Sequence, residues 1–374
     1  MQGIKKTMSV KDVDLKSLEE KIDMLANVIS DNFSLLNRKI DDNYELLKVT
    51  KKKLVDLEYY TKNEIIYKRL KSRNFPVDKI NNAEPILTIF MPVYNGEKFI
   101  ARALESILMQ ETSYHYKIWI MDDCSTDNTN SIVKTYQELY PNTITFESSS
   151  VNQKGMMAAP KIFNRIATKY WMNFDQDDYW ISTDKIERFI NYFELHPECT
   201  LVSSNVLVKK SHVLSPVYIG KQRKVTFDLS SYLGELNILL QTSATMFRNV
   251  FSSEELQKIN SCVGTNKHLC IVGDTFRNVF ALTKGTGYFE DSIDSVYNWT
   301  ENGYWSKKNL AQQNLENTEY FYESIDFFED KDVKNLIKEA AKKNWRLTEE
   351  NQRLLTNTEN EILSNIKVKL DSME

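Results

Sequence analysis

The stretch from Tyr170 to Trp180 constrains this chain more than any other. An apolar run ending at Phe174 leads directly into Asp175, Asp177 and Asp178, followed by the aromatics Tyr179 and Trp180. A buried strand that ends in clustered acids sets like charges a few ångströms apart. That arrangement costs free energy unless a cation or a shared proton relieves it. A divalent metal bridging to a phosphate-bearing ligand is the usual relief, and an all-oxygen donor set suits Mn2+ or Mg2+ rather than zinc. A single acidic triplet also reads as a polar turn after a strand; the sequence upstream decides between the two.

The 374 residues suffice for one large domain with appendages, or for two domains. Apolar content of 41% fills a core, and a net charge of −4 gives no footprint for nucleic acid. The charge is uneven, with a basic first 74 residues and an acidic middle. An acidic middle that binds an anionic nucleotide needs a metal. No apolar run reaches the roughly 18 residues of a membrane span, and the start lacks the apolar segment of a signal peptide. Cys124, Cys199, Cys262 and Cys270 are scattered without metal spacing and read as reduced thiols, so a cytoplasmic location is expected.

Residues 12–73 contain neither Gly nor Pro. Leu15, Leu18, Ile22, Leu25 and Ile29 fall at spacings of three and four, and the seam resumes at Phe33, Leu36 and Ile40 after a slip. This reads as a coiled coil with one stutter, and hence a homo-oligomer. The rival readings are a helix folded back on the chain's own C-terminal helices, and a basic face on an anionic membrane. Residues 307–374 also lack Gly and Pro and carry apolar stripes at helical spacing, such as Phe321, Ile325 and Phe328. The expected domains are therefore a helical segment 1–74, an α/β domain 75–306 and a helical region 307–374.

Between the appendages, strand and helix patterns alternate. Ile86–Val93 is an apolar run with a Tyr94-Asn95-Gly96 turn and a helical stripe at Ile100, Leu104 and Ile107. Tyr116–Met121 ends in Asp122-Asp123-Cys124-Ser125-Thr126, a loop rich in helix-capping residues. Short connections predict an open, mainly parallel sheet with helices on both faces. Ligands of such sheets sit beyond the carboxyl ends of the strands. Tyr94-Asn95, Asp122-Asp123 and Asp175–Asp178 should then converge on one crevice.

MPVYNGEKFI, IMDDCSTDNT and FDQDDYW, in this order and spacing, resemble glycosyltransferase family 2. Those enzymes have a GT-A (Rossmann-like) fold and use nucleotide sugars; the resemblance spans about Pro85 to Ser306. It implies that Pro92 and Tyr94 border the nucleotide base and that Asp123 accepts from a pyrimidine imide. It further implies that Asp175 contacts the ribose, and that Asp175 and Asp177, with Asp178 sharing the role, hold Mn2+ or Mg2+ on the diphosphate. Asp274 matches the place of the catalytic base, which takes the proton of the attacking acceptor hydroxyl; a helix N-cap is the rival role. Thr242 and Ser243 fall in the segment under the donor sugar, and Trp299 and Trp305 are candidates for a sugar platform or for core.

The implied activity is a metal-dependent inverting transfer from a nucleoside diphosphate sugar, UDP-linked in preference. The acceptor would be a glycan or lipid-linked glycan of a bacterial surface polysaccharide, or else a protein or peptide; the lipid-linked case implies peripheral membrane contact. Two departures stand out. Pro160-Lys161 replaces the arginine the family often places near the diphosphate, leaving Lys154 or Lys161 to supply charge. Thr300 stands where a late histidine is common. A nucleotidyltransferase is disfavoured by the absence of a Gly-rich basic loop after the first strand. A degenerate scaffold is disfavoured by the intact Asp123, Asp175, Asp177 and Asp274.

Overall fold

The computed structural model describes residues 84–152, 163–210, 213–216, 224–234, 240–262, 273–300, 303 and 305–372. The coiled coil expected in 1–74, and with it the oligomer, lies outside these residues, as do Lys154, Pro160 and Lys161.

The sheet begins as predicted. β1 (Leu87–Val93) pairs in parallel with β2 (Tyr116–Asp122) on one side and β4 (Tyr170–Asn173) on the other, and β2 pairs in parallel with β3 (Ile144–Ser148). Side chains on β1 alternate between two cores, as a strand buried on both faces must. Leu87, Ile89 and Met91 pack with Ile100, Leu104 and Ile107 of α1 (Ile100–Leu108), whereas Phe90 packs with Trp119 and Trp171 in the opposite core. Helix α2 (Thr129–Leu139) follows β2. Helix α3 (Lys185–Leu195) adds Ile186, Phe189, Ile190 and Phe193 to the α1 side.

Beyond β4 the sheet is mixed, which corrects the expectation of a mainly parallel one. Its order is β3-β2-β1-β4-β9-β6-β10-β5. β9 (Thr245–Arg248) runs antiparallel between β4 and β6 (Cys199–Lys210). The segment Gln241–Arg248 thus enters the interior of the sheet: a short 3-10 turn at Thr242–Ala244 feeds β9 in with its direction reversed. The 14-residue β10 (Thr286–Trp299) pairs in parallel with β6 and antiparallel with β5 (Tyr179–Trp180). Register shifts between Glu290 and Ser295 bend β10, the usual effect of bulges, so that it brings Tyr297 to the acidic loop. Two short antiparallel strands, β7 (Val213–Pro216) and β8 (Lys224–Phe227), pair with β6 and β10.

Short helices α4 (Leu229–Leu233) and α5 (Ser253–Ser261) precede α6 (Asp274–Thr283). The C-terminal region is helical as expected: α7 (Leu310–Ser324), α8 (Lys331–Glu349) and α9 (Asn357–Asp371). These helices share one apolar core with α6. Phe276 of α6 meets Phe327 at 5.0 Å, and Phe280 stacks on Phe251 at 4.4 Å. The helix that starts with Asp274 is therefore anchored by the C-terminal helices.

Lys185 pins α3 to the sheet. It is fully buried, donates to Ser204 of β6 at 2.8 Å and Ser295 of β10 at 3.0 Å, and lies 4.9 Å from the Phe189 ring. Burial pushes its ammonium down to about 8 from 10.5, against the pull of Asp294 and Glu290. A lysine with a lowered folded pKa binds fewer protons folded than unfolded between those values, so its contribution to stability rises with pH there. Buried Cys199 and several tyrosines, raised in the folded state, act in the opposite sense at these pH values. The Lys185 contribution is therefore read as a difference: by urea unfolding, the stability of the wild type relative to Lys185→Met should rise between pH 8 and 10.5.

Candidate active site

The three strand ends predicted to converge do so through hydrogen bonds between their loops. Tyr94 N donates to Gln176 Oε1 at 3.0 Å, and Gln176 Nε2 returns a bond to Tyr94 O at 2.8 Å. Asn95 N donates to Ser125 Oγ, and Thr126 N to Asn95 Oδ1, both at 2.8 Å. Two residues hold left-handed backbone here: Asn95 at φ 48° and Cys124 at φ 67°. Asn tolerates that region; Cys pays for it, and the surrounding bonds hold it in place. Gly96 leaves room for the Gln176 side chain, whose Oε1 would lie 2.2 Å from a Cβ at that position.

Asp122 is wholly buried and accepts from Ser125 N and from Ser148 Oγ, the latter at 2.8 Å. It scaffolds the loop, as a buried, bonded carboxylate does. Its neighbour Asp123 is half-buried beside Val93, to whose carbonyl its N–H donates at 2.8 Å. Tyr94 is 45% exposed, and Pro92 occupies the penultimate position of β1.

The acidic loop is organised around Asp178. Its Oδ2 accepts from Ser243 Oγ and Gln241 Nε2, each at 2.6 Å, and its Oδ1 from the Asn298 backbone N–H at 3.0 Å. Ser243 is fully buried and its Oγ also accepts from Asp175 N at 3.0 Å. Trp180 Nε1 donates to Ser243 O at 2.8 Å. Ser243 thus braces the loop from beneath, with its hydroxyl committed to protein partners, and Asp178 has partners on both carboxylate oxygens.

Asp274 is the first residue of α6. Gly273 occupies the N-cap position, so the rival reading of Asp274 as that helix's cap is not what the structure contains. Its Oδ2 accepts from Thr242 Oγ1 at 2.6 Å, and its Oδ1 is ion-paired to the buried Arg277 three residues on, a spacing that places two side chains on one helix face.

The acids feel one another. Burial and repulsion from Asp178, Asp274 and Asp177 hold Asp175 well above the usual carboxylate range, with Arg277 pulling the other way. Asp178 is pushed up to about 7 by burial and Asp177, despite its hydrogen bonds. Burial also raises Asp177, with Arg102 opposing. Tyr297 is raised by burial and by all four acids. Among the described residues no three acids, histidines or cysteines are spaced to enclose a metal by themselves. The donor set nonetheless fits a hard divalent cation shared with a ligand: hard oxygens, like charges in a buried place, and too little positive charge to balance them. Asp175 and Asp177 are the members free of the bracing role that Asp178 performs.

Trp299 lies 6.1 Å from the Tyr297 ring, and Trp305 sits against Lys308 before α7. Arg277 and Arg102 were not singled out from sequence, and Tyr297 was noted only as the start of the late motif that carries Thr300. The helical i, i+3 spacing of Asp274 and Arg277 was a usable signal; the other two depend on tertiary packing.

Ser243→Ala would leave Asp178 one donor short and Asp175 N without its acceptor. Hydrogen bonds to charged groups contribute about 1.5–3 kcal/mol, so a loss of that size is expected in urea unfolding at pH 8. Ser243→Thr, if its hydroxyl is accommodated, should recover part of it.

Residues 88–251 match the sequence profile of Glycosyl transferase family 2. The chain is 30% identical over 212 residues to the dTDP-rhamnosyl transferase RfbG of Shigella flexneri, covering 54% of this chain and 68% of that protein. It is 24% identical over 184 residues to the putative teichuronic acid biosynthesis glycosyltransferase TuaG of Bacillus subtilis, covering 47% of this chain and 71% of that protein. Among solved structures, S. aureus TarS 1–349 in complex with UDP-GlcNAc superposes with a TM-score of 0.57 at 15% identity, over 76% of this chain and 80% of that one. That likeness gives the fold, a GT-A sheet. The profile match, the RfbG similarity and the assembled acidic crevice agree that this chain is a glycosyltransferase and belongs to glycosyl transferase family 2.

Proposed function

We propose that the protein is a metal-dependent inverting glycosyltransferase. It takes a sugar from a pyrimidine nucleoside diphosphate, UDP in preference, and joins it to a hydroxyl of a surface-polysaccharide intermediate. The observation that carries this reading is the gathering of Asp175, Asp177 and Asp178 with Asp274 at one end of the sheet. It supports a site with a cation-binding side and a proton-accepting side.

Asp123 is positioned by the β1 and β2 loops to accept from an imide N–H, a donor that uracil and thymine share. Tyr94, exposed beside it, offers an aromatic face to the base. Asp175 and Asp177 would hold Mn2+ or Mg2+, which when bound stabilises charge developing on the leaving diphosphate. Asp274 takes the proton of the acceptor hydroxyl as that oxygen attacks the anomeric carbon. Thr242 now occupies the oxygen of Asp274 that the acceptor needs, so the acceptor hydroxyl must displace it or share it. Arg277 fixes the carboxylate's orientation from the other side. Trp299 beside Tyr297 supplies an apolar face for a pyranose.

The glycan acceptor is supported by the named role of TuaG in teichuronic acid biosynthesis. RfbG is named for a dTDP-sugar, so dTDP is the rival donor. Among the described residues no helix is long and apolar enough to cross a membrane, and any contact with a lipid-linked acceptor would be peripheral.

Donor hydrolysis tests this reading without an acceptor. A panel of UDP-, dTDP- and GDP-sugars should yield nucleotide release from one pyrimidine donor with Mn2+ or Mg2+, lost with EDTA and in Asp177→Ala. Once an acceptor is found, Asp274→Asn should slow transfer by about 10²–10⁴-fold, the usual contribution of a general base. Metal-independent release would contradict the cation role, and an unaffected Asp274→Asn would remove Asp274 as the base.

A further inference from the structure

Gln176 stands between Asp175 and Asp177 in the acidic loop, and no step of the proposed reaction uses it. Its amide reaches out of that loop to a single residue of another. The Oε1 accepts from Tyr94 N at 3.0 Å, and the Nε2 donates to Tyr94 O at 2.8 Å. A side-chain amide that bonds both backbone groups of one residue does what a peptide unit of a neighbouring strand would do.

The stand-in falls where the strands themselves part. The parallel ladder of β1 and β4 ends with Phe90 opposite Asn173, and Phe174 N donates to Phe90 O at 2.8 Å. β1 continues to Val93 against β2, whereas the chain after Phe174 turns. Asp178 N donates to Asp175 O at 3.1 Å, with Gln176 and Asp177 at the corner of that turn. Gln176 rejoins the two backbones beyond the parting, at the level of the crevice. Gly96 makes room for it: the three atoms nearest to a Cβ at that position all belong to Gln176, the closest, Oε1, at 2.2 Å.

The parts joined in this way are the two halves of the crevice. In one half, Tyr94 and Asp123 belong to loops already bonded to each other. Asp123 N donates to Val93 O, Gly96 N to Thr129 Oγ1 at 2.8 Å, and Asn128 Nδ2 to Glu97 Oε2 at 2.9 Å. In the other half, Asp175 and Asp178 are tied to Ser243. Each half has its own bracing, and Gln176 adds the link between them. A ligand that touches both, with a base on one half and a diphosphate and its cation on the other, binds best when their separation is set beforehand.

We propose that Gln176 is a positioning residue: it holds the nucleoside loops and the cation-binding acids at the separation a nucleoside diphosphate spans, so that the two half-sites bind one donor jointly. The role rests on the donor reading above.

The test is calorimetric titration of the full chain with uridine alone, with Mn2+ alone, and with UDP in saturating Mn2+. In Gln176→Ala, UDP with Mn2+ should bind about tenfold more weakly, the scale of one or two neutral hydrogen bonds, while uridine and Mn2+ alone each stay within about twofold of the wild type. Retained uridine binding also shows that the variant is folded. Gly96→Ala keeps the amide in the sequence but takes its place, and should weaken UDP to the same degree. The double variant should be no weaker than either single one, because the added methyl then fills room the amide has left. A loss of uridine or Mn2+ affinity that matches the loss for UDP would overturn the proposal, since Gln176 would then build only one half-site. Unchanged UDP affinity in Gln176→Ala, or additive losses in the double variant, would overturn it as well. A wild type that gains nothing from the diphosphate over uridine would sink the donor reading itself, and the positioning role with it.

Discussion

The buried carboxylate of Asp178 is the joint on which the site depends. Its two oxygens collect donors from two segments beyond its own loop: Ser243 and Gln241 at the turn before β9, and Asn298 at the end of β10. A buried charge is tolerable only when such partners are present, and removing any of them costs more than the bond is worth on average. The reversal of the sheet at β9 and the bend of β10 both serve this joint, since they carry its donors to it. Asp175 and Asp177 lie in the same short loop just before this anchored residue, and Asp175 N is tied to the same Ser243 hydroxyl.

That rigidity sits next to electrostatic frustration. Four acids share one partly buried region, and the nearest buried cation, Arg277, is already paired with Asp274. A core built for stability would replace such a set with apolar residues of the same volume. Acids whose charges are disfavoured together in one place are the usual mark of a functional site.

Much of this was legible in the sequence, for physical reasons that differ by element. β1, β2 and β4 announce themselves because a strand buried on both faces needs an unbroken apolar run, and their polar ends mark the crevice. The place of Gln241–Arg248 inside the sheet was not legible, because a strand of four residues, Thr245–Arg248, carries too short a pattern to show which neighbours it pairs with. β10 hid its importance: bulges break the two-residue period over Glu290–Ser295, so periodicity does not show that Tyr297 reaches the acids. Ser243 carries hydroxyl chemistry suited to a sugar, yet it is spent on the protein, a choice made by burial and invisible in residue type. Arg102 approaches from another element, and no spacing along the chain reports that. The apolar seam in residues 1–74 lies outside the described residues.

If the acids are gathered for a cation rather than for stability, relieving their repulsion should stabilise the unliganded protein. The most direct measurement is thermal unfolding of Asp175→Asn against the wild type at pH 8.5, free of metal and nucleotide. Burial and three neighbouring acids disfavour the charge on Asp175, so removing it should raise the melting temperature, while added Mn2+ with UDP should stabilise the wild type more than the variant. A variant that melts at or below the wild-type temperature without metal, with an equal response to Mn2+ and UDP, would contradict the account.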